Sequence, residues 1–164
     1  MKKIEIKIRR DIQNVKEQIK LWKQDINCVE KINKLFGQKL KKLYIILNQM
    51  DRNTAEGIWL NIEVKGELNS LKADCKLELK EATRKNHIKQ LKREIGCIKK
   101  INKLFGPKLK KLYIILNRID YIVVDYIWQT VETKGELNSL IAEWKLGLKE
   151  AIKELQKLKK EVSR

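Results

Sequence analysis

Apolar residues recur three and four positions apart over long stretches of this chain, the period of a helix with one buried side. In the first stretch the stripe is Ile12, Val15, Ile19, Trp22, Ile26 and Val29, and Ile88, Leu91, Ile95 and Ile98 repeat it further on. A short second stretch carries Leu40, Leu43, Tyr44, Leu47 and Met50 as its inner face, matched by Leu109, Leu112, Tyr113, Leu116 and Ile119. The third stretch is long: Leu137, Leu140, Trp144, Leu148, Ala151, Leu155, Leu158 and Val162 continue the spacing, and Leu68, Leu71, Cys75, Leu79 and Ala82 form its earlier version. Residues 119–128, IDYIVVDYIW, also admit a strand, but the corresponding RNTAEGIW is not strand-like, so the helix reading is preferred.

The matching stretches are copies. Between Lys31 and Asp51, 18 of 21 positions are identical to those between Lys100 and Asp120, and KGELNSL at 65–71 recurs unchanged at 134–140. Punctuation repeats with them. Gly37 and Gly106 close the first helix of each copy, and Pro107 suits the first turn of the helix that follows. Asn53 and Glu56 have capping-box spacing in the first copy, and Asp120 is the expected cap in the second. Gly66 and Gly135 mark candidate bends, whereas neither Gly nor Pro interrupts the chain from Glu67 to Ile95. The expected fold is therefore all-α: a tandem pair of three-helix bundles, elongated and linked by a shared long helix. The first repeat with its N-terminal extension covers 1–82, and the second with its C-terminal helix extension covers 83–164. A unit this small is near the lower limit for an independent core, so the copies are expected to support each other.

Charge changes the picture from folding to partners. The formal net charge is +17, and it is unevenly distributed. Residues 83–111 hold 11 Lys or Arg against one acid, and residues 14–42 hold eight against three, while 43–82 and 112–151 are each slightly acidic. A compositional preference for Lys would not by itself segregate charge by helix. The duplicated corner carries Lys31, Lys34, Lys39, Lys41 and Lys42, repeated as Lys100, Lys103, Lys108, Lys110 and Lys111, and the second copy adds Arg84, Lys85, Lys89, Lys92 and Arg93. With the N–H groups at the start of the second helix, these corners suit phosphate. The expected function is non-enzymatic nucleic-acid binding, mainly through backbone contacts. Acidic residues on the third stretch and the scarcity of Arg argue against base readout in the major groove.

At about 100° per residue, Ile45 and Ile114 fall on the outer side of the second helix beside the lysines. Tyr121 and Tyr126, which replace Arg52 and Gly57 of the first copy, are further candidates for exposure. Basic patches with an apolar centre suit a protein interface. The alternative is thus a helical adaptor, inhibitor or homo-oligomer that engages an acidic protein through Lys and Ile.

Other chemistry finds little support. Cys28, Cys75 and Cys97 sit among apolar positions, are odd in number and lack ligand spacing, so they read as small core residues. His87 stands among polar neighbours, and most aromatics lie on the apolar stripes. Neither an enzyme, a cofactor nor a metal is expected. No apolar run reaches the roughly 20 residues of a membrane span, and the basic N-terminal segment lacks a signal-like apolar core. The expected location is intracellular, in the cytoplasm, the nucleoid or the nucleus.

Overall fold

The computed structural model describes residues 2–163, and every regular element among them is helical. The order is α1 Lys2–Phe36, α2 Lys39–Asn48, α3 Arg52–Lys65, α4 Asn69–Glu81, α5 Lys85–Phe105, α6 Lys108–Asn117, α7 Tyr121–Lys134 and α8 Asn138–Ser163. The ambiguous 119–128 run is helical from Tyr121.

The glycines set the boundaries. Gly66 and Gly135 adopt φ of 72° and 73°, the left-handed conformation that an L side chain resists, and they close α3 and α7. The chain after the second stretch is consequently two helices in each copy, with the third stretch lying in the later one, α4 or α8. Asp51 and Asp120 hold the N-cap positions of α3 and α7 with ψ of 142° in both, so Asn53 lies inside α3 and is not its cap.

The continuous helix expected from Glu67 to Ile95 is absent. Ala82 and Arg84 are extended, with ψ of 137° and 129°, and separate α4 from α5. No local breaker explains this. The apolar stripes of both helices are instead satisfied by folding one back along the other, and Asn102 Nδ2 near the end of α5 donates to Asn69 Oδ1 at the start of α4, 3.3 Å away. Burial of two stripes outweighs the few helical hydrogen bonds given up at the polar turn.

Two compact units result, and they do not follow the repeat boundary. One comprises residues 2–34 and 137–163, the other residues 35–136. In the first, α1 and α8 run antiparallel. Asn33 Nδ2 donates to Asn138 Oδ1 at 2.9 Å, Lys145 pairs with Glu30 at 3.0 Å, Trp22 meets Trp144 edge-on at 6.3 Å, and Val15 and Ile19 pack with Ala151. Ile12, Val15, Ile19, Trp22, Ile26, Val29 and Asn33 alternate four- and three-residue steps, the a/d seam of a coiled coil with an Asn in one seam position.

In the second unit, packing joins α2 to α7 and α5, α3 to α6 and α4, and α4 to α5. All but the α3–α4 pair are contacts between copies. This exchange does not bear out two self-contained three-helix bundles. Equivalent residues are buried in both copies: Leu43 and Leu112, Ile58 and Ile127, Ile62 and Val131. Phe36 and Phe105 meet each other at 5.8 Å. On α2 and α6 the buried set is Leu40, Leu43, Ile46 and Leu109, Leu112, Ile115, while Leu47 and Leu116 are only half-buried.

Candidate nucleic-acid interface

Helix α5 segregates its residues by charge. Leu91, Ile95, Cys97, Ile98, Ile101 and Phe105 are buried. Lys85, Lys89, Lys92, Arg93, Lys99, Lys100 and Lys103 are all exposed. At 100° per residue these seven cations span an arc of about 120°, and from Lys85 to Lys103 they run for about 27 Å. The sole carboxylate of α5, Glu94, is buried on the opposite side and accepts from Gln90 Nε2 at 3.4 Å. None of the seven has an ion-pair partner among the described residues. Neighbouring like charges without counter-charges hold a positive potential along the helix. Lys108 and Lys111 on α6 and Arg84 before α5 are also exposed and add to the basic character of this segment.

Lys99 is absent from the set expected from sequence. A signal for it exists there, since it lies seven residues after Lys92 and therefore on the same helical side. Helix α1 carries a sparser version. Lys16, Lys20, Lys23, Lys31 and Lys34 are exposed at the equivalent places, but Gln24 and Glu30 stand where α5 has Arg93 and Lys99. Lys39 and Lys42 on α2 are exposed too.

Lys41 and Lys110 have a different position from the other corner lysines. Lys110 Nζ donates to the carbonyls of Ile62 and Glu63 at 3.2 and 2.9 Å, and Lys41 Nζ donates to the carbonyl of Glu132 at 2.5 Å. These carbonyls lie in the last turns of α3 and α7, where a cation meets the negative end of the helix dipole. Each ammonium also lies near its own helix's tyrosine, 5.6 Å from the Tyr44 ring and 5.4 Å from the Tyr113 ring. Both side chains are half-buried and committed to the fold. The helix starts are likewise less open than expected, because the Leu109 and Lys110 N–H groups donate back to Gly106 and Pro107, and those of Leu40 and Lys41 to Gly37 and Gln38.

Ile45 and Ile114 are exposed at 44% and 40%, as the helical wheel requires, and Tyr121 and Tyr126 at 73% and 55%. All three cysteines are buried, and none is joined in a disulfide. Burial pushes the Cys75 and Cys97 thiols up; Glu94 adds to the rise at both, while Lys100 and Arg93 oppose it at Cys97. Such thiols are protonated and poorly nucleophilic near neutrality. His87 is half-buried, with Nε2 3.2 Å from Glu78 Oε1. No group of His, Cys, Asp and Glu among the described residues has the arrangement of a metal site. No helix among them is long and apolar enough to cross a membrane.

Comparison with protein-family models, curated proteins and solved structures finds no match to this chain.

Proposed function

We propose that the protein is a non-enzymatic nucleic-acid-binding protein that contacts the phosphate backbone, with α5 as its principal surface. The observation that supports this is the row of seven exposed cations free of carboxylates on one side of that helix. A polyanion laid along it releases its condensed counterions, which gives affinity without sequence preference. Lysine predominates over Arg in the row, as suits point-charge contact with phosphate more than bidentate base recognition. The protein acts inside the cell on this reading, where nucleic acid is found.

Fluorescence anisotropy with labelled single- and double-stranded oligonucleotides tests it. Lys89→Glu with Lys92→Glu should weaken binding at low salt by more than about tenfold while the circular dichroism spectrum is unchanged. Binding that ignores this double reversal would remove α5 from the interface.

The exposure of Ile114 beside Lys111, repeated by Ile45 beside Lys42, favours a second reading, an adaptor or inhibitor that docks an acidic protein or a second copy of the chain. On that reading Ile114→Asp abolishes self-association or partner capture and leaves oligonucleotide affinity intact. On the first, it changes neither.

A further inference from the structure

A cavity of about 340 Å³ opens among α3, α6 and α7, with Trp59, Tyr113, Tyr121 and Trp128 in its wall and Asn117 and Asp125 as its polar groups. Tyr121, Asp125 and Trp128 are placed there by their spacing of four and three residues along one side of α7. None of the α5 cations lines it.

Duplication shows what has changed at this place. Tyr121 and Asp125 correspond to Arg52 and Glu56 of the first copy, where Arg52 Nε sits 3.5 Å from Glu56 Oε1 as an ion pair one helical turn apart. The second copy keeps the carboxylate and replaces its cation by an aromatic ring. No hydrogen bond or ion pair reaches the Asp125 carboxylate among the described residues. The ring pairs have diverged too. Tyr44 stacks on Trp128 at 6.3 Å with 27° between the planes, whereas the equivalent Tyr113 and Trp59 line the cavity together with Trp128.

Indole and phenol faces attract cations, most strongly when the cation is poorly hydrated, and Lys110 already lies 5.4 Å from the Tyr113 ring. A carboxylate without a counter-charge beside four rings supplies the missing charge complement. Leu116 and Val124 complete an apolar lining that a fully hydrated ion would not use but alkyl groups on nitrogen would. The volume falls in the range of small-ligand sites. We infer that this cavity binds an alkylated ammonium group of the trimethylammonium type, with its methyl groups against the rings and its charge compensated by Asp125.

Titration of the full chain, followed by tryptophan fluorescence, tests the site with choline, with trimethyllysine and with 3,3-dimethyl-1-butanol, the neutral isostere of choline. A saturable change is expected for at least one ammonium at millimolar concentration, with the isostere about tenfold weaker. The tighter of the two ammonium probes distinguishes a free small molecule from a modified side chain as the source. Tyr121→Arg restores the ion pair of the first copy at an exposed position and should abolish the response, and Asp125→Asn should weaken it several-fold. The inference is overturned by no saturation with either ammonium, by equal binding of the isostere, by indifference to Tyr121→Arg, or by tighter binding of adenosine than of choline.

Discussion

Lys110 shows how the same residue type divides between the fold and the solvated surface. Its neighbours Lys108 and Lys111 are exposed, while its own ammonium holds two carbonyls at the end of α3 and lies by the Tyr113 ring. Lys110→Ala leaves those carbonyls without their cation and removes a charge-assisted hydrogen bond, so we expect a destabilisation of about 1 kcal/mol in chemical denaturation. Lys111→Ala, which gives up only a solvated charge, should be within about 0.5 kcal/mol of the parent. The sequence could place both lysines on the same short helix but could not separate them, because the carbonyls that engage Lys110 belong to residues 47 and 48 positions earlier in the chain. The outward direction of Ile45 and Ile114, by contrast, depends only on local helical geometry and was legible from it. The buried position of Ile46 and Ile115 in place of Leu47 and Leu116 was not, since it is set by which neighbouring helix each short helix meets.

At the level of the element, periodicity specified helices and charge segregation, and the glycines marked ends. What it left undetermined was where a helix stops without a breaker. The turn at Ala82 to Arg84 has no Gly or Pro, and its cause is the pairing of α4 with α5, a tertiary gain that no window of local sequence contains. A partial signal was present in the seam Asn of α1 and its equivalent Asn102, since a polar residue in such a position needs a partner on a facing helix. Two helix-interior glycines provide a direct check of packing. A Cβ at Gly96 meets nothing within 4 Å, so Gly96→Ala should raise stability by about 1 kcal/mol through helix propensity. A Cβ at Gly147 would lie 3.2 Å from the Trp22 ring, so Gly147→Ala should gain less than Gly96→Ala or lose stability as the indole is displaced. Thermal melts of both variants check the pair, and equal gains would show that Trp22 does not pack closely on α8.

Across the whole molecule, duplication has been used for mutual support and for divergence. Lys41 reaches the Glu132 carbonyl and Lys110 the Glu63 carbonyl, equivalent interactions in which each copy closes a helix of the other. Neither copy contains its own partner for that lysine. The fold consequently tolerates unequal surfaces, and the second copy has Arg93 and Lys99 on α5 and Tyr121 on α7 where the first has Gln24, Glu30 and Arg52. The excess positive charge is concentrated where the acid-free row lies, and it is there that the nucleic-acid reading is most exposed to test. The measurement is the salt dependence of oligonucleotide affinity for the parent and for Lys85→Gln/Lys89→Gln/Lys92→Gln/Lys99→Gln. A steep linear fall of log K with log salt is expected for the parent, and a slope smaller by about 0.7–0.9 for each phosphate that the variant no longer neutralises. A parent without affinity at low salt, or a slope that the four substitutions leave unchanged, would contradict the nucleic-acid reading.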